Sequence, residues 1–255
     1  MKKFPVIVLL LTVVLAGCSS TSKPSLSEEQ RNKASELNTE LGLRYMAQGK
    51  LDWSMTKLTK ALEQNDDNAR AHHFMAELQR RLGQYDKAES HFKYALSLTP
   101  DNASLLNNYG IFQCDLKHYK EADEYFKRAL EDPLYKDKGG VYENMGNCSL
   151  ERGDKFEAET AFLQAIKFNP EASSALIGLA QIAYSKKLYT QSKNYYYQFL
   201  KVSNHNAKSL WLGLLLERRS GNRARVANYA MRLKGKFPDS PEARLLRRLE
   251  AQGRL

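Results

Sequence analysis

The chain is poor in the residues and motifs that carry enzymatic chemistry. It has five histidines, His72, His73, His91, His118 and His205, and none is spaced with acids or thiols as metal ligands are. There is no HExxH, no glycine-rich phosphate loop and no GxSxG elbow, which removes zinc proteases, P-loop enzymes and serine hydrolases of that design. Three cysteines in 255 residues are too few for a disulfide scaffold. No apolar run reaches the roughly 20 residues that cross a bilayer as a helix. No stretch alternates apolar with polar as a half-buried strand does. What remains is an all-α chain for which no enzyme activity, cofactor or metal is expected.

What is present begins with an export signal. Lys2 and Lys3 precede an apolar run from Phe4 to Gly17, broken by Pro5 and Thr12 and ending in small residues, the form of a cleavable signal. Leu15-Ala16-Gly17-Cys18 resembles the bacterial lipobox. That resemblance implies cleavage after residue 17 and acyl chains on Cys18, each buried methylene adding about 0.8 kcal/mol of anchoring; an ordinary secretory signal is the alternative. In Gram-negative lipoproteins an aspartate after the cysteine commonly marks inner-membrane retention. Ser19 therefore implies an outer-membrane anchor with the chain facing the periplasm. Residues 18–34 are rich in Ser, Lys and Glu and are expected to form a lipidated cysteine and flexible tether, because they carry too little apolar surface to offset ordering. Without residues 1–17 the chain holds 37 basic and 29 acidic residues. No nucleic-acid partner is expected for an exported chain, despite this charge.

The rest is organised by a period of 34 residues. With Ser35 as position 1, units begin at Ser35, Ala69, Ala103, Gly139, Ser173 and Ala207, and only the segment Glu131 to Lys138 carries two extra residues. Position 8 holds Gly42, Ala76, Gly110, Gly146, Ala180 and Leu214, and position 20 holds Ser54, Ala88, Ala122, Ala158, Ser192 and Val226. Small side chains at these columns allow two antiparallel helices to approach to about 8–10 Å in the first four units, and the last two relax the crossing. Bulky residues surround the crossing, with Leu58, Phe92, Phe126, Phe162 and Tyr196 at position 24. Glycine recurs at position 15, where a first helix must end, and Pro100, Pro170 and Pro238 recur at position 32, where a second must stop.

These columns resemble the tetratricopeptide repeat over residues 35–240. The resemblance implies a superhelix of six helix-turn-helix repeats (35–68, 69–102, 103–138, 139–172, 173–206 and 207–240) plus a C-terminal capping helix in 241–255. It also implies a concave groove lined by positions 2, 5, 9, 12 and 13 of the first helices. Carried over position by position, Leu43, Met46, His73, Arg80, Asn107 and Ile111 form the expected contact patch for a helix or extended peptide; the alternative is that they are solvated helix faces. The Lys and Asn set that grips a chain-terminal carboxylate in some relatives is not reproduced. Cys114 and Cys148 fall on the first helices of adjacent repeats, and in an oxidising compartment such thiols pair if their Cα atoms come within about 7 Å. The basic run from Arg218 to Arg254 fits either a solvated end cap or a contact with lipid headgroups or an acidic partner.

The lipobox, tether and six repeats, with Asn107-Asn108-Tyr109-Gly110 followed by Phe112 and Cys114, and Glu143-Asn144-Met145-Gly146-Asn147-Cys148, resemble the lipoprotein family of type IV pilus biogenesis known as pilotins. That likeness implies a secretin subunit as protein partner, possible contacts with other pilus-assembly proteins, attachment to the outer membrane through acyl chains, and a role in placing and multimerising the secretin. A scaffold for outer-membrane barrel assembly or for cell-wall enzymes is the alternative.

Overall fold

A computed structural model describes residues 26–254. The signal, Cys18 and the first part of the tether lie outside the described residues. Thirteen α-helices make up the described chain: α1 (Glu28–Ala47), α2 (Leu51–Gln64), α3 (Ala69–Arg81), α4 (Tyr85–Leu98), α5 (Ala103–Asp115), α6 (Tyr119–Glu131), α7 (Lys138–Glu151), α8 (Lys155–Phe168), α9 (Ser173–Ser185), α10 (Tyr189–Val202), α11 (Ala207–Arg219), α12 (Arg223–Lys236) and α13 (Pro241–Ala251). The first twelve form six antiparallel pairs, each packed on the next, and α13 closes the stack.

The helices start where the chain offers a cap. Asn68, Asn102, Asp137 and Asn206 each accept a hydrogen bond from the backbone N–H three residues on, at the head of α3, α5, α7 and α11, which satisfies an amide the helix cannot. Ser240 does the same for α13, with Pro241 in its first turn. One boundary departs from the sequence reading. α1 begins at Glu28, seven residues before Ser35, so residues 28–34 of the expected tether are helix. Ser27 and Gln30 form a reciprocal capping box there, and Glu28 and Glu29 occupy the positive end of the helix dipole. Local capping thus builds two turns that bury almost nothing.

Within each pair the small columns meet the large ones. Leu58, Phe92, Phe126 and Phe162 are fully buried, as are Ala61, Ala95, Ala129 and Ala165 at position 27. Ser54 and Ser192 at position 20 donate to the carbonyls of Gly42 (2.8 Å) and Ala180 (2.7 Å) at position 8, so both buried hydroxyls are satisfied by the facing helix. At the far end Ala243 and Leu246 of α13 cover Leu210, Leu214 and Leu233. The cap is amphipathic, with an apolar stripe below and arginines above. The junction between α6 and α7, Asp132 to Asp137, holds the two extra residues.

Candidate functional site

First helices build the inner face. α1 touches α3, α3 touches α5, α5 touches α7 and α7 touches α9, while second helices pack on first helices. This side-by-side contact decides which side chains stay open. Position 5 mostly falls in the seam between neighbours, with Thr39, His73, Asn107 and Ile177 buried, and position 12 does so in the first and third repeats, where Met46 and Cys114 are buried. Positions 2, 9 and 13 mostly point away from the seam. Leu43, Ile111, Gln181 and Leu215 at position 9 are half-buried, and Ala47, Arg81 and Asp115 at position 13 are exposed.

The expected contact patch is corrected accordingly. Leu43 and Ile111 keep open surface. Met46 is 2 % exposed and belongs to a core with Leu58, Met75 and Leu78. His73 is stacked on Phe74, ring centroids 4.8 Å apart, and its Nε2 accepts from Asn108 Nδ2 (2.8 Å) on the next repeat. Burial holds the ring neutral, its pKa pushed down to about 4. Asn107 is buried and accepts from Asn144 Nδ2 (3.1 Å). Arg80 is partly open, but its guanidinium is engaged by Glu77 (2.8 and 3.0 Å) and by Asp115 of α5. Burial would raise the Glu77 pKa, and Arg80 and Arg81 together hold it below the usual range instead. Met46, His73, Asn107 and Arg80 therefore fasten one repeat to the next. The sequence reading placed them in the groove because helical spacing does not reveal how closely adjacent first helices pack.

Other polar groups knit the same seam. Arg70 donates to Glu40 (2.8 Å) and reaches Glu36 (3.5 Å), joining the second repeat to the first. The Glu143 carboxylate accepts from the Ser174 amide (2.7 Å), joining the fourth to the fifth. Cys114 in α5 and Cys148 in α7 are disulfide-bonded, their Cα atoms 5.9 Å apart. The bond ties the third repeat to the fourth, across the enlarged junction.

Two features have little signature in the sequence. His72 and His91 meet across α3 and α4 with Nδ1 atoms 2.7 Å apart, and His72 Nε2 lies 2.7 Å from the Asp66 carbonyl. A carbonyl only accepts, so His72 donates through Nε2 and its Nδ1 accepts from His91. Burial lowers both pKa values, that of His91 to about 4. Their positions, 4 and 23, are the signal that could have paired them, since the same columns share a core in the third, fifth and sixth repeats, as Leu106 with Tyr125, Leu176 with Tyr195 and Leu210 with Tyr229. The second feature is Arg219, whose guanidinium carbon lies 3.8 Å over the ring centroid of Tyr189. Among the described residues no three His, Cys, Asp or Glu side chains are grouped to hold a metal ion, and no helix is long and apolar enough to cross a membrane.

Family models of the tetratricopeptide repeat match residues 67–137 and 146–199. The chain is 32% identical over 238 residues to the type IV pilus assembly protein PilF of Pseudomonas aeruginosa, spanning 92% of this chain and 94% of that protein. It is similar in structure to Pseudomonas aeruginosa PilF, with a TM-score of 0.75 at 30% identity, over 85% of this chain and 98% of the other. It is likewise similar to PilW, described as a widely conserved type IV pilus biogenesis factor, with a TM-score of 0.72 at 28% identity, over 84% of this chain and 99% of the other.

Proposed function

The chain belongs to the family of the type IV pilus assembly protein PilF, and we propose that it is a non-enzymatic lipoprotein that binds secretin subunits in its groove. The single observation that supports this most is that the likeness covers 92% of this chain in sequence and 85% in structure, and nearly all of the relative, so a whole architecture is shared and not one repeat type. Cys18, acylated after removal of residues 1–17, would hold the stack at the outer membrane facing the periplasm. The stack would be joined to that anchor through the residues that precede α1, which begins at Glu28.

The mechanism is one of local concentration. Subunits held on membrane-anchored grooves meet one another at a concentration set by the anchor and not by diffusion through the compartment. Open positions along the first helices supply the contact. Leu43 and Ile111 offer apolar surface between the exposed Glu36, Arg81 and Asp115, a mixture suited to an amphipathic client segment. Met46, His73, Asn107 and Arg80 hold the curvature that presents it.

Deletion of the gene tests the role. Secretin multimers and surface pili should vanish while pilin abundance is unchanged. Normal multimers in the deletion strain, or recovery of barrel-assembly or cell-wall proteins in place of secretin on affinity capture, would contradict it.

A further inference from the structure

Charge is divided along this chain with unusual sharpness. Residues 18–206 hold 25 basic and 25 acidic side chains, whereas residues 207–255 hold 12 basic and 4 acidic. All the net positive charge beyond residue 17 therefore lies in the sixth repeat and the cap.

Arginines of the early groove are neutralised in place: Arg70 by Glu36 and Glu40, Arg80 and Arg81 by Glu77, and Arg80 also by Asp115. At the other end that pattern stops. Arg218 and Arg219, at positions 12 and 13 of α11, have no carboxylate side chain within 4.0 Å among the described residues. The nearby acids are already engaged, Glu217 by Arg225 (3.1 Å) and Glu250 by Lys234 (2.8 Å).

α9 and α11 share a buried core through Leu176, Ile177, Ala180, Leu212 and Leu216, and beside it a cavity of about 450 Å³ opens between Tyr184, Leu215, Arg218 and Arg219. Tyr184 and Arg219 of its lining are joined through Tyr189, which lies behind them. Tyr184 meets the ring of Tyr189 edge-on at 5.4 Å, and the face of Tyr189 carries Arg219 at 3.8 Å. An arginine held over a ring keeps its planar fork of donors exposed in a fixed direction. Arg218 donates once to the Arg254 carbonyl (2.8 Å), which uses one of its five N–H groups.

We propose that this cavity binds an acidic peptide segment of a partner protein, with Arg218 and Arg219 holding a carboxylate and Leu215 and Tyr184 seating the apolar side chain beside it. The site is separate from the Leu43 and Ile111 surface and does not depend on the partner being a secretin. Two guanidinium forks suit a carboxylate because each can donate two parallel bonds. The arginines line an open depression beside Leu215 and Tyr184, of a volume that takes one or two side chains. A flat layer of headgroups would instead meet the outward arginines of the cap, Arg244, Arg247 and Arg248, which are exposed.

Fluorescence anisotropy on the full chain in neutral detergent tests this, with a labelled peptide alternating glutamate and leucine as probe. The paired substitution Arg218→Glu with Arg219→Glu should weaken binding by at least about tenfold. Arg247→Glu with Arg248→Glu makes the same change of charge outside the cavity and should cost less than about threefold. The peptide with glutamine for glutamate should bind weakly to all forms. Equal losses in the two double variants, or equal binding of the glutamine peptide, would overturn the proposal. So would binding to phosphatidylglycerol vesicles that Arg218→Glu with Arg219→Glu abolishes while peptide binding is unchanged. If that double variant fails to fold by circular dichroism, Arg219→Gln alone decides: a loss of several-fold supports the site and no loss overturns it.

Discussion

Phe162 of α8 lies against Gly146 of α7 so closely that a β-carbon on the glycine would fall within contact of the ring carbons. The other edge of the same ring lies as close to Gly178 of α9. One aromatic side chain is thus clamped between the first helix of its own repeat and that of the next. Gly146→Ala and Gly178→Ala should each cost about 1–3 kcal/mol through overpacking. Gly235 in α12 has nothing within 4 Å of the place a β-carbon would take, so Gly235→Ala should stabilise by up to about 1 kcal/mol. Urea unfolding of the three variants checks both signs.

The turn after each first helix needs a left-handed residue at position 15. Gly49, Gly83, Gly153 and Gly221 supply it with φ between 72° and 86°, but Lys117 and Lys187 take the same conformation at 64° and 63°. A side chain there is strained by roughly 1–2 kcal/mol. Lys117→Gly should therefore raise stability by about 1 kcal/mol, read as a higher denaturation midpoint with an unchanged slope.

The Cys114–Cys148 bond closes a loop of 34 residues, which in the chain-entropy account contributes about 3–4 kcal/mol. Reduction, or the variant with both cysteines as serine, should speed hydrogen exchange in α5 to α8 first and leave α1 to α4 protected for longer. Uniform loss of protection along the chain would contradict a local clamp.

Acid should weaken the second repeat before the rest. His73 and His91 have pKa values lowered from 6.5 to about 4 by burial, so the folded chain binds fewer protons than the unfolded one between those values. Stability is complete above about pH 6.5 and falls as the pH falls toward 4. The melting temperature should drop by roughly 5–10 °C from about pH 7.5 to about pH 4.5, and His73→Gln with His91→Gln should flatten that slope.

The repeat architecture was legible because the columns that make it are local: a small residue at position 8, another at 20 and a large one at 24 each act on the partner helix of the same hairpin. Even the cysteine pair could be reached, since neighbouring first helices lie side by side. What escaped was set between hairpins. Whether Met46 or Leu43 faces the groove depends on how close α1 lies to α3, and spacing within one helix does not encode that distance. The cavity at Arg218 and Arg219 escaped for the same reason: its lining comes from two repeats, Tyr184 from α9 and Leu215, Arg218 and Arg219 from α11. The helical start at Glu28 was missed differently, because a capping box outweighed a composition that resembles a tether.

The central claim, that open first-helix positions carry the client, is tested most directly by photo-crosslinking in living cells. A photoreactive residue is placed at Leu43 or Ile111, and in parallel at Trp53, which is 60% exposed on the second helix of the first repeat. The account predicts that Leu43 and Ile111 capture the secretin and that Trp53 does not. Secretin captured from Trp53 alone, or from none of the three, would contradict it.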